Sequence, residues 1–169
     1  MPIVESPVVE SPVTLARRDI EWPDEAATAE FATQLARAPA LRGALVTLHG
    51  DLGAGKTSFA RHLLQALGVK GRIKSPTYSL AEVYELDGFS AWHCDFYRFS
   101  DPREWEDAGL RDAFAAPGLK LVEWPEKASP LLPLADLSLH INVDTDNIRR
   151  VQVLAYTPIG RTIVESVAQ

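Results

Sequence analysis

Eight consecutive residues, Gly50 to Thr57, read GDLGAGKT and match G-x-x-x-x-G-K-[ST], the loop that cradles phosphates in nucleotide-binding proteins. Its glycines let the backbone turn tightly enough for the N–H groups along Asp51, Leu52, Gly53, Ala54 and Gly55 to face phosphate oxygens. Lys56 would reach the β- and γ-phosphates, and the Thr57 hydroxyl would take one place around a magnesium ion. Three residues elsewhere have types suited to complete such a site. Asp95 ends the run His93-Cys94-Asp95, Glu123 ends the apolar run Leu119 to Val122, and Thr77 lies within Ser75-Pro76-Thr77-Tyr78. An acid closing an apolar strand is what a P-loop enzyme uses to hold magnesium or orient water. Thr77 reads either as an ordinary turn residue or as a switch whose hydroxyl senses magnesium and the γ-phosphate.

These residues need a strand before the loop and a helix after it. Ala44 to His49 is a short apolar stretch suited to a buried parallel strand. Phe59, Leu63, Ala66 and Leu67 then recur at helical spacing until Gly68 offers a cap. An earlier helix starts at Asp24, buries Ala27, Phe31, Leu35 and Ala38, and stops at Pro39. It covers either a sheet face or the base of a nucleotide. Asp87-Gly88 between Leu80–Leu86 and Phe89–Cys94 signals a hairpin. Asp101-Pro102-Arg103-Glu104 is a capping box opening a short helix, with a second short helical piece over Leu110 to Phe114. Leu137 to Val143 alternates apolar and polar, Asp144 to Asn147 turns the chain, and Arg150 to Tyr156 alternates back. The expected fold class is α/β: a P-loop NTPase-type mixed sheet, mostly parallel, flanked by helices, with antiparallel strands added. Residues 19–169 form one domain on this reading. Residues 1–18, with Val-Glu-Ser-Pro-Val written twice, form a disordered or extended tail.

Composition narrows the classes. With 169 residues, 46% hydrophobic and 24% charged, the chain can bury a core and has no apolar run long enough to span a membrane. Nothing at the N-terminus reads as a signal peptide, and Cys94 is the sole cysteine, so the expected place is the cytoplasm with no internal disulfide. A net charge of −6 argues against gripping nucleic acid unaided. The basic run Lys70-Gly71-Arg72-Ile73-Lys74 is a solvated loop or a contact for a partner or RNA. His93 and Asp95 are too few for a zinc site. Arg98 pairs with an acid or faces phosphate, Trp124 belongs to the core by default, and His140 is a solvated side chain on a polar face.

Four motifs in this order resemble the TsaE (formerly YjeE) family: GDLGAGKT at Gly50–Thr57, SPTY at Ser75–Tyr78, HCDFYR at His93–Arg98 and LVEWP at Leu121–Pro125. The resemblance covers roughly residues 20–145. It implies a small ATPase of the bacterial machinery that makes threonylcarbamoyladenosine in tRNA, using ATP and Mg2+. It also implies that Thr57 and Glu123 ligate magnesium, that Asp95 is needed for turnover, that Thr77 is the switch and that Trp124 flanks the nucleotide. The implied partners are the TsaB- and TsaD-type proteins of the transferase complex, with tRNA met only through that complex. Phe96 and Ser58 depart from the family's usual leucine and threonine without removing a functional group.

A P-loop small-molecule kinase is the competing reading, and it would need an acceptor pocket and an arginine-bearing lid. Arg98, Arg103 and Arg111 are present, but no lid segment is evident. A GTPase is disfavoured because no N-K-x-D stretch occurs.

Overall fold

The computed structural model describes residues 12–167. Seven strands form one sheet: β1 (Ala16–Trp22), β2 (Leu45–His49), β3 (Ala81–Leu86), β4 (Phe89–Asp95), β5 (Leu119–Glu123), β6 (Leu137–Val143) and β7 (Arg149–Ala155). Their order across the sheet is β1-β7-β6-β2-β5-β4-β3. The central four, β6-β2-β5-β4, run parallel. Antiparallel pairs finish both sides: β3 on β4, and β7 on β6 with β1 beyond it. The fold is the mixed, centrally parallel α/β sheet that the motifs call for.

Helices α1 (Glu25–Ala36), α2 (Lys56–Ala66) and α5 (Pro158–Ser166) cover one face. Asp24 caps α1 by accepting from the Ala27 N–H at 2.8 Å. The Trp22, Phe31 and Phe59 rings meet between these helices and the sheet, with Trp22 and Phe59 stacked at 5.4 Å. The short helices α3 (Glu104–Asp107) and α4 (Leu110–Ala115) close the other face around Phe96, Phe99, Trp105 and Phe114. The capping box forms only in part: Glu104 reaches back to the Asp101 N–H at 3.2 Å and the Ser100 N–H at 2.7 Å, but the Asp101 carboxylate accepts from the Arg103 N–H at 2.9 Å and the helix starts at Glu104, past Pro102. Burying both sheet faces is why β2 and β5 are buried along nearly their whole length instead of on alternate residues.

Two elements were not read from the sequence. Strand β1 takes in Ala16 to Arg18, so the ordered chain begins before residue 19 and the proposed tail boundary is too late. Residues 1–11, with most of the tail, lie outside the described residues. The strand does alternate, with residues 16, 18, 20 and 22 turned inward, but Arg18 on the inward side hides the pattern. Its guanidinium is satisfied by the Val167 carbonyl at the end of α5. Helix α5 is opened by Thr157, whose hydroxyl accepts from the Gly160 N–H at 3.1 Å, with Pro158 at its first position.

Candidate active site

The parallel strands deliver their carboxyl ends to one edge, where open α/β sheets place their sites. Strand β2 leads directly into Gly50–Gly55, and α2 starts at Lys56 with its N-terminus toward the same edge. Gly50 and Gly55 sit at φ +153° and +108°, conformations that a side chain rarely allows. At Gly50 a Cβ would also meet the Ile141 carbonyl at 2.6 Å, so the loop is pressed against the end of β6. A cleft of about 460 Å³ opens here, lined by the loop from Leu52 to Ser58 and by Thr77, Asp95, Tyr97, Glu123, Trp124 and Arg149.

Register brings the two acids together. Asp95 on β4 stands opposite Glu123 on β5, and Leu48 opposes Glu123 from the other side. Both carboxylates are buried, Glu123 at 2% and Asp95 at 7% exposure. The Thr57 hydroxyl donates to Glu123 Oε1 at 2.7 Å, and His93 Nε2 lies 2.6 Å from Glu123 Oε2. Asp95 Oδ1 accepts from the Tyr97 N–H at 2.9 Å. Burial pushes the Asp95 pKa up, the Tyr97 N–H opposes this, and the neighbouring Glu123 adds to it. Burial likewise lowers the Lys56 pKa, although Glu123 and other acids pull it back. The Lys56 ammonium donates to the Gly50 carbonyl and lies 3.7 Å above the Trp124 ring.

Trp124 is not a core residue. It is half-exposed, adopts φ +56°, and turns its ring toward Lys56 and Tyr97. A non-glycine residue at positive φ stores strain, here immediately after the strand-end acid. Thr77 lines the cleft with its hydroxyl 2.7 Å from Ser75 Oγ. Asp51 stands apart: its side chain is exposed and does not line the cleft, while its carbonyl accepts from the Ala54 N–H at 3.0 Å. Among the described residues Arg98 meets no acid and does not line the cleft; it lies 4.1 Å over the exposed Tyr78 ring. Lys70, Arg72 and Lys74 are exposed.

The oxygen pair of Thr57 and Glu123 suits a hard cation. Magnesium is held by one or two protein oxygens, with phosphates and water completing its shell, so the donor set fits the ion.

Two residues of the site escaped the sequence reading. His93 was weighed only as a metal ligand, yet it sits two residues before Asp95 on the same strand face and braces Glu123. Its i, i+2 spacing was the available signal. Arg149 carries no local signal at all. It opens β7, and its Nε donates to the Ala54 carbonyl at 2.7 Å.

His140 also differs from expectation. It is half-buried and stacked on His49 at 4.2 Å, with Nε2 3.0 Å from Ser138 Oγ. The pair lines a separate cavity of about 350 Å³ on the α3 and α4 face, and burial lowers the His49 pKa to about 4.

The model of the family described as "Threonylcarbamoyl adenosine biosynthesis protein TsaE" matches residues 22–151. The tRNA threonylcarbamoyladenosine biosynthesis protein TsaE of Haemophilus influenzae is 40% identical over 137 residues, covering 81% of this chain and 86% of its own. The Bacillus subtilis protein of the same name is 35% identical over 127 residues, covering 75% and 77%. The crystal structure of Bacillus subtilis YdiB superposes with a TM-score of 0.78 at 27% identity, over 94% of this chain and 97% of that one. Motifs, sheet order and these likenesses agree, and the chain belongs to the TsaE family.

Proposed function

We propose that the protein is a cytoplasmic ATPase that binds Mg-ATP at the P-loop, hydrolyses it slowly, and thereby regulates the complex forming threonylcarbamoyladenosine in tRNA. The observation that carries this reading is the meeting of Lys56, Thr57, Asp95 and Glu123 in one cleft at the N-terminus of α2. The backbone amides of the loop and the helix N-terminus attract the phosphates. Lys56 exchanges its Gly50 carbonyl for phosphate oxygens and sets its positive charge against the negative charge of the group transferred.

Thr57 and Glu123 hold magnesium, which when bound neutralises charge on the β- and γ-phosphates. His93 fixes the rotamer of Glu123 from beneath. Asp95 orients the attacking water. Its burial-raised pKa moves it toward the range in which a carboxylate accepts a proton near neutral pH. Trp124 and Tyr97 wall the cleft, and Thr77 lies where a γ-phosphate can order its loop.

The partners on this reading are TsaB- and TsaD-type proteins, with tRNA reached through them. Phosphate release is measured for the chain alone and with that complex, beside a screen for phosphoryl transfer to small acceptors. Slow release alone and faster release with the complex supports the proposal. Transfer to an acceptor without free phosphate would make the protein a kinase instead.

A further inference from the structure

The doubled Val-Glu-Ser-Pro-Val near the N-terminus has no part in the nucleotide cleft, yet Pro12, at its end, lines the cavity of about 350 Å³ that holds His49 and His140. Strands β2 and β6 supply the floor of that space. Thr47 and His49 come from one, Ser138 and His140 from the other, and they face each other in register. Each imidazole Nε2 lies 3.0 Å from the hydroxyl two residues before it, and the Tyr156 hydroxyl lies 2.9 Å from Ser138 Oγ. These polar groups bond to one another, so what the cavity leaves to be covered is its apolar wall. Pro125, Leu132, Pro133, Leu134 and Ala135 form that wall.

The wall is open to solvent at its edge. Leu134 is 56% exposed, and Val13, next to Pro12, is 75% exposed. A single exposed apolar residue is ordinary, but apolar surface grouped around a concavity marks a place where another segment or molecule rests. The occupant closest at hand is the chain itself. Residues 1–11 lead into Pro12, and Val8 and Val9 stand where the two copies of the repeat join. A chain advances at most about 3.6 Å per residue, which holds Val9 within about 11 Å of Pro12 and Val8 within about 14 Å. The residue before a proline favours an extended form, which suits a chain laid along a groove. Attachment at Pro12 also makes the encounter intramolecular, at an effective concentration on the order of millimolar. Two valines that would bind too weakly as a separate peptide can therefore seat in place.

We propose that this cavity is the docking site of the chain's own N-terminal segment, with Val8 and Val9 packed against Leu132, Pro133 and Leu134. The docked segment lies directly behind the nucleotide cleft, because His49 leads into Gly50 and Pro125 follows Trp124. It gives the repeat a place in the fold.

Nuclear magnetic resonance of the full chain carrying a nitroxide on Ser6→Cys tests this. Cys94 does not compete for the reagent, because it is buried and burial pushes its thiol up to about 12. The expected result is broadening of the His49, His140 and Leu134 signals, which is lost when Val8→Asp and Val9→Asp are added to the same nitroxide-bearing chain. Phe31 and Phe59, under the opposite face of the sheet, keep their chemical shifts in both proteins and report an intact fold. Broadening that is equal with and without the two aspartates reflects the tether alone and overturns the proposal. Absence of broadening leaves the cavity to a separate molecule and overturns it too. In a mixture of nitroxide-bearing chains with isotope-labelled chains that lack the nitroxide, the isotope-labelled signals are expected to stay sharp. Broadening there assigns the cavity to the segment of a second copy and overturns docking within one chain.

Discussion

The Thr57 hydroxyl donates to Glu123 Oε1 at 2.7 Å across 66 positions of sequence, joining the first turn of α2 to the end of β5. The same carboxylate meets His93 through its other oxygen. One buried acid thus ties the P-loop helix to two neighbouring parallel strands.

Glu123→Ala is expected to lose the magnesium-dependent part of ATP affinity together with turnover, because the site keeps Thr57 but loses its charged oxygen ligand. It also strands the buried His93 ring, at about 1–3 kcal/mol for a buried group left unmet. Titrating magnesium against a fluorescent ATP analogue reads the first effect, and urea denaturation the second. Unchanged magnesium dependence would remove Glu123 from the metal site.

Lys56→Ala should weaken ATP binding and abolish hydrolysis while the far-ultraviolet circular dichroism stays that of wild type. The lysine supplies charge to the β/γ-phosphates, and no other lysine lines the cleft. Hydrolysis at the wild-type rate in this variant would refute the P-loop assignment.

Asp95→Asn separates stability from catalysis. Burial raises the Asp95 pKa in the folded protein, so the native state binds this proton more tightly than the unfolded chain does. Ionised Asp95 therefore costs stability once the pH exceeds the unfolded value, and the cost grows as the pH rises through the folded value. The amide keeps an acceptor for the Tyr97 N–H. Asp95→Asn should melt at a higher temperature than wild type at neutral pH, with the gain shrinking as the pH falls to the ordinary carboxylate range. Turnover should be lost with nucleotide binding retained. Melting curves across pH, read beside phosphate release, check both halves, and a lower melting point at neutral pH would contradict the first.

Thr77→Ala should blunt stimulation of hydrolysis by the transferase complex more than it weakens ATP binding. A loop ordered by the γ-phosphate and read by a partner typically carries about 1–3 kcal/mol of coupling. Rates with and without the complex give the stimulation, and nucleotide titration gives the affinity. Equal stimulation in Thr77→Ala and wild type would exclude the switch role.

Gly160→Ala reverses a rule of helix propensity. In an exposed helix the change would add about 1 kcal/mol of stability. In α5 the new Cβ would lie 1.8 Å from the Asp136 carbonyl oxygen and 3.1 Å from the Ala155 Cβ. The helix must move off the sheet, so a loss of about 1–3 kcal/mol is expected by chemical denaturation. A more stable variant would mean that α5 is less tightly seated than its contacts indicate.

Local patterns made most of this protein legible. GDLGAGKT between an apolar strand and a helical repeat names its own backbone geometry, because the turn, the strand and the helix are each written within a few residues. Asp24 and Asp87-Gly88 set element ends by short-range hydrogen bonds and turn conformations, so they too could be read in place. Glu123 and Asp95 were recognisable as strand-end acids, but only the register of β4 against β5 puts them side by side. Strand β1 and Arg149 depended on pairing with distant partners: β1 lies along β7, and Arg149 meets a carbonyl 95 positions away. A side chain's spacing along the chain reports its own element. Which loop an arginine clamps, which acid a histidine braces and whether a glycine can spare its hydrogen are decided by elements that meet only after folding.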